Sequence, residues 1–280
     1  MLTVEQIACF KAFGFLVFRG MFSQDETQVI SREADDILTE GRDGQPFAGE
    51  RQIVMAFVER RPFLASLVDD DRIYIPIEDL LGPDFYWIGG DGNLYVGDSE
   101  WHSDSKPEPI EYGYTRIKVA LYLDPVTKGT GCLRVIPGSH RPPRHEDLEP
   151  LRAFRRPQTN YGGKTLSKVE QESKGLDDES PEIPFGVDGS KLPGFPLESQ
   201  PGDVVFFNQR LWHSSFGGKT GRRMFTLNYG EKLINEDHIS LVKMVYGASP
   251  GDELYTNAFL NSKRPRIQHM MTVPHELGFK

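Results

Sequence analysis

Apolar positions along the first forty residues recur with a helical period. Ile7, Phe10 and Phe13 fall on one face of a helix opened by Thr3, with Gln6 completing a capping box. Gly14 ends that helix, and "FLVF" (15–18) reads as a short buried strand. Ser23 and Glu26 repeat the capping pattern before a second helix, whose Val29, Ile30, Ala34, Ile37 and Leu38 line one side until Gly41. This opening is structural and carries no chemistry.

From about residue 84 the period shortens to that of strands. "FYWIGG", "NLYVG", "TRIKVALYLDPV", "CLRVIPGSH", "DVVFFNQRLWHSS" and "RRMFTLNYG" combine aromatic and β-branched residues between turn formers. In "TRIKVALYL", Ile117, Val119, Leu121 and Leu123 alternate with Lys118, Ala120 and Tyr122, so one face is apolar and the other mixed. That pattern predicts a sheet backed by helices, with its opposite face lining a cavity. The "PGD" turn launches one apolar strand that carries His213 near its end. Strands at these intervals point to a sandwich or barrel.

Between Arg141 and Pro196 the chain turns polar and proline-rich, too long for a hairpin connection, which predicts a lid-like insert. With no internal repeat, one domain over 1–280 is expected. It comprises N-terminal helices to about 83, a core from about 84 to 232, and a C-terminal tail (233–280) with a helix around "EDHISLVKMVYG".

Bulk properties narrow the function. The 280 residues carry a net charge of −9, which argues against a nucleic-acid partner because phosphate contacts need a basic face. No apolar run approaches the length of a membrane span, and the N-terminus lacks the continuous apolar core of a secretory signal. The two cysteines, Cys9 and Cys132, form no disulfide framework and suit a reducing compartment. A cytoplasmic setting with a small-molecule substrate is expected; oligomeric state is not legible.

Candidate chemistry begins at "WHSDS". On a strand, residues i and i+2 project from one face, so His102 and Asp104 could reach one cation from a strand edge. Alone, that motif is equally a polar turn. His213 is the third ligand candidate, at a strand end that His140, His145, His238, His269 and His275 do not share, where a histidine can equally be a residue facing water. Two histidines and a carboxylate form the facial triad of non-heme Fe(II), which leaves coordination positions open. Arg222 and Arg223 follow on the next strand, where a guanidinium fork could take a carboxylate in bidentate fashion.

Together, "WHSD", "GTGCLRVIPGSH", "QPGDVVFFNQRLWHSS" and the arginine-bearing strand resemble the phytanoyl-CoA dioxygenase family of Fe(II)/2-oxoglutarate oxygenases, over roughly residues 84 to 230. The resemblance implies a mainly β fold with flanking helices, a double-stranded β-helix (jelly roll, cupin-like). It implies His102, Asp104 and His213 as iron ligands, and Ser215 as a hydroxyl on the 2-oxoglutarate carboxylate. In the family the anchoring arginine precedes a strand-end aromatic by seven residues, so counting back from Tyr229 selects Arg222 over Arg223. Lys118, on the mixed face of its strand, is either a second cationic contact for that co-substrate or a solvated edge lysine.

The implied reaction converts 2-oxoglutarate and O2 to succinate and CO2 while a small organic molecule is hydroxylated. Related halogenases replace the carboxylate ligand with a small residue; Asp104 is present here. The chain departs from the family at Ser103, where glutamine is common, and in a shorter turn between His213 and Arg222. Desaturation, cyclisation or epimerisation with the same cofactors stays open, as does a non-catalytic jelly-roll binding protein. A zinc hydrolase also stays open, since regular alternation puts Glu100 on the face of His102 and Asp104 as a general base. Arg141, Arg144, Arg152, Arg155 and Arg156 form a basic group in the insert that either receives an anion or is paired with its acids. Trp101 either walls the pocket or sits in the core.

Overall fold

The computed structural model describes residues 1–105, 113–154, 160–161, 164–165, 184–246 and 254–279. Its larger sheet has seven strands: β1 (Phe15–Phe18), β2 (Gln52–Met55), β3 (Tyr86–Gly89), β4 (Asp91–Tyr95), β6 (Arg116–Tyr122), β11 (Val204–Asn208) and β13 (Arg222–Gly230). Their order is β1-β11-β6-β13-β4-β2, with β3 also pairing β13. The smaller sheet orders β10 (Phe195–Leu197), β7 (Leu133–Val135), β12 (His213–Ser215) and β5 (Ser99–His102). All these pairings are antiparallel. A two-residue pair, β8 (Asn160–Tyr161) with β9 (Lys164–Thr165), joins neither sheet.

The two faces of β6 separate as the alternation predicts. Ile117, Val119, Leu121 and Leu123 enter a core shared with helices α1 (Val4–Phe13), α2 (Gln24–Glu40), α3 (Pro62–Leu67) and α4 (Asp71–Leu81). Ala120 and Tyr122 face the other way, packing with Leu133, Val135 and Leu197 of the smaller sheet. Burying apolar surface on both sides of the larger sheet holds it between a helical layer and the second sheet. The architecture is a double-stranded β-helix with flanking helices. The C-terminal helix Glu236–Tyr246 falls where expected, and Phe259, Ile267, Met270 and Met271 join the same core as the N-terminal helices.

Both N-terminal capping boxes form, at Thr3/Gln6 and Ser23/Glu26, and Gly14 ends α1 with φ +84°, which favours glycine. Phe13 departs from expectation: it is 49% exposed, and Phe10 is the residue α1 buries. The N-terminal segment is also less purely helical than its pattern suggests, since β1 and β2 form the two edges of the larger sheet.

The run 203–215 is not one strand. It breaks after Asn208, whose side-chain oxygen accepts from the Arg210 N–H while its carbonyl accepts from Leu211 N–H. β11 and β12 therefore lie in different sheets, and His213 opens a strand instead of closing one. Of the expected insert, Arg144–Asp147 is helical (α5) and Glu149–Phe154 forms a 3-10 turn; Arg155 and Arg156 lie outside the described residues.

Candidate metal centre

β5 and β12 are neighbours in the smaller sheet, and His102 and His213 are direct cross-strand partners. Their rings meet at a centroid distance of 4.1 Å. Asp104 does not share the strand, because β5 ends at His102. Ser103 ends it: its hydroxyl bonds the Ser105 hydroxyl, accepts from Ser105 N–H and donates to the Arg210 carbonyl. Asp104 N–H then donates to the Gln209 carbonyl at 2.9 Å, which ties this turn to the break between β11 and β12. Arg152 closes it from outside by donating to the carbonyls of Ser103 and Ser105.

The result is three converging donor groups. Asp104 Oδ1 lies 3.8 Å from His102 Nε2, and Asp104 Oδ2 lies 3.8 Å from His213 Nε2. One ligand atom from each residue falls within 4.8 Å of the others, a spacing suited to a single ion. Each imidazole is held by a backbone carbonyl: His102 Nδ1 to Glu100 O at 2.7 Å, and His213 Nδ1 to Leu211 O at 2.8 Å. A carbonyl only accepts, so Nδ1 carries the proton and each Nε2 lone pair faces inward.

Lys118 is the fourth member, and it is not a solvated edge residue. Its ammonium donates to Asp104 Oδ2 at 2.7 Å. Burial pushes the Asp104 carboxyl up, but the surrounding charges, the Lys118 ammonium foremost, hold it well below the usual carboxylate range. Burial likewise works against the Lys118 charge, and Asp104 outweighs it, holding the ammonium above its ordinary value. The site thus offers an ionised carboxylate beside two Nε2 atoms aimed inward, the donor types a divalent cation takes. Lys118→Met should lower Fe(II) affinity about 10- to 100-fold, as removal of a hydrogen-bonding partner of a ligand commonly does. Competition against a chromophoric chelator measures it.

Arg222 and Arg223 separate by strand alternation. Arg223 faces the helices, with its guanidinium shared between Asp35 at 2.8 Å and Asp124 at 2.6 Å. Arg222 faces the second sheet, 6% exposed, with Nε and Nη1 buried and without a hydrogen-bond partner. Its guanidinium lies 5.2 Å from the centroid of the Tyr95 ring. Gly131 is required beside it: φ there is +89°, and a Cβ would overlap Arg222 Nη1. Ser215 is buried, and its hydroxyl donates to the Gly131 carbonyl at 2.9 Å. Gly131→Ala should displace this guanidinium and weaken 2-oxoglutarate binding at least about tenfold, read by isothermal titration.

Other sequence candidates lie elsewhere. The Glu100 carboxylate is not among the converging ligand atoms; its Oε2 lies against Gly189. Trp101 is core, donating to the Gly189 carbonyl and clustering with Leu151, Trp212 and Phe216. Of the basic group, Arg152 is paired with Glu149 and lies 5.0 Å over Trp212, whereas Arg144 is exposed and bonds the Pro137 carbonyl. Arg51 precedes the short edge strand β2, and the sequence carries no periodic signal for it, since "QIVM" (52–55) is one polar residue followed by three apolar ones.

Comparison with known proteins agrees with this architecture. The family model for phytanoyl-CoA dioxygenase matches residues 10–225. The ectoine dioxygenase of Sphingopyxis alaskensis is 26% identical over 239 residues, 78% of this chain and 72% of that protein. The crystal structure of apo EctD from S. alaskensis aligns with a TM-score of 0.56 at 22% identity, covering 82% of this chain and 77% of that one. HygX from Streptomyces hygroscopicus, with nickel and 2-oxoglutarate bound, aligns with a TM-score of 0.55 at 19% identity, covering 84% and 90%. At these identities the two structures speak to the fold. The match to the family model spans most of the sequence, and the chain belongs to the phytanoyl-CoA dioxygenase family.

Proposed function

We propose that the chain is an Fe(II)/2-oxoglutarate-dependent dioxygenase that hydroxylates a small organic molecule, with His102, Asp104 and His213 as the iron ligands. The observation that carries this is the convergence of two Nε2 lone pairs and one ionised carboxylate within 4.8 Å, each imidazole pinned through Nδ1. Iron held by these three residues would supply the redox chemistry that couples conversion of 2-oxoglutarate and O2 to succinate and CO2 with oxidation of the substrate.

The chain's own groups do the rest. The carbonyls of Glu100 and Leu211 orient the two imidazoles, and Lys118 holds one oxygen of Asp104. Arg222 offers buried, unpaired donors, which are costly unless an anion meets them. The distal carboxylate of 2-oxoglutarate suits that demand, and Ser215 flanks the same subsite through Gly131. Retention of a carboxylate at Asp104 supports hydroxylation over halogenation. The whole chain acts as one domain in this reading, supported by the core that N- and C-terminal helices share. A cytoplasmic setting is supported by the free state of Cys9 and Cys132; no helix among the described residues is long and apolar enough to cross a membrane.

The relatives named ectoine dioxygenase make ectoine the first substrate to assay. With Fe(II), 2-oxoglutarate and O2, the expected result is succinate formed together with a product heavier by one oxygen atom. A chlorinated product in chloride buffer, or hydrolysis with zinc and no succinate across a panel of small substrates, contradicts the proposal.

A further inference from the structure

We propose that Arg51 is a second cationic anchor for the distal carboxylate of 2-oxoglutarate, sharing it with Arg222 across the ring of Tyr95. The inference rests on the oxygenase reading above. Three strands bring these residues into one row. Arg222 is the register partner of Tyr95, and Gln52 is the partner of Leu94, so Arg51 stands beside Tyr95 at the start of β2. Gln52 and Val54 turn toward α2, against Gly41, which leaves Arg51 on the face that looks toward the second sheet. The Arg51 guanidinium lies 4.7 Å from the Tyr95 ring centroid, on the same ring that Arg222 approaches at 5.2 Å. The two cations therefore lie within about 10 Å of each other.

Both are uncompensated. The Nε of each is buried and without a hydrogen-bond partner, and neither guanidinium makes an ion pair among the described residues. Several half-buried arginines elsewhere pair with carboxylates: Arg72 with Glu26 and Asp70, Arg152 with Glu149, Arg223 with Asp35 and Asp124. Two like charges on one ring repel, and the ring quadrupole offsets only part of that cost. Unpaired buried donors add to it. A carboxylate between them removes both penalties, since its two oxygens can accept from two guanidinium forks. Tyr95 then serves as the platform that keeps the forks apart and aimed at the same ligand.

The test is an anaerobic titration of the Fe(II)-loaded chain with 2-oxoglutarate, followed by its visible charge-transfer absorption. 2-Oxobutyrate, which lacks the distal carboxylate, is the second probe. Arg51→Gln is expected to raise the 2-oxoglutarate Kd about tenfold, with Fe(II) affinity and 2-oxobutyrate affinity unchanged and partial recovery in Arg51→Lys. An unchanged 2-oxoglutarate Kd overturns the inference. So does an equal loss for both 2-oxo acids, which makes Arg51 a support of the fold. Absence of the absorption in the wild-type chain is a separate result, which removes the oxygenase reading and this inference with it.

Discussion

His213→Ala abolishes Fe(II) binding and turnover together while leaving the chain folded. His213 is 5% exposed and sits between its cross-strand partners His102 and Val135, with Phe207 edge-on to its ring. Its hydrogen bond to the Leu211 carbonyl aims Nε2 at Asp104. Removing a hydrogen-bonding partner of a ligand commonly costs 10- to 100-fold in metal affinity, and removing one of three ligands costs more than about a hundredfold. Chelator competition reads the affinity, and thermal melting of the metal-free chain confirms the fold. His145→Ala is the control: His145 is buried and bonds the Ser139 carbonyl, away from the converging atoms, so its loss affects stability and spares metal affinity.

Arg222→Ala raises the 2-oxoglutarate Kd about a hundredfold, whereas Arg223→Ala leaves it unchanged. A bidentate guanidinium–carboxylate pair shielded from water contributes about 2–3 kcal/mol, and each 1.36 kcal/mol is tenfold. Arg222 has that shielding and has free donors. Arg223 has neither: its donors go to Asp35 and Asp124, and Asp35 is half exposed. Breaking those surface pairs costs about 1 kcal/mol of stability or less. The pair of variants is read by calorimetric titration of 2-oxoglutarate with the metal-loaded chain. Equal effects of the two substitutions contradict the assignment.

Local chemistry made some of this legible in advance. The capping boxes at Thr3 and Ser23, the alternation through Ile117 to Leu123 and the pairing of "WHSD" with a distant histidine all depend on spacing that neighbouring residues set. Other features depend on partners far along the chain. The run from Val204 to His213 is apolar at both ends and reads as one strand, and it breaks because Gln209 N–H donates to the Arg116 carbonyl while Asn208 turns the chain. The choice between Arg222 and Arg223 depends on register, since a slip of one residue exchanges the two faces of β13. Pairing of Met224 with Tyr122 and of Asn228 with Lys118 sets that register. The cavity face of Lys118 follows from alternation, yet its contact with Asp104 arises only when the turn after β5 folds back over β6. Arg51 is a lone cation before four residues of strand, and its meaning comes from β2 pairing with β4.

The central claim, that His102, Asp104 and His213 hold an Fe(II) ion that in turn binds 2-oxoglutarate, is tested most directly by anaerobic visible spectroscopy. Fe(II) and 2-oxoglutarate are added to the metal-free chain, and the same titration is run on His102→Ala. The expected result is a charge-transfer band that saturates at one iron per chain and is absent from the variant. No band in the wild type, or a band of equal strength in His102→Ala, contradicts it.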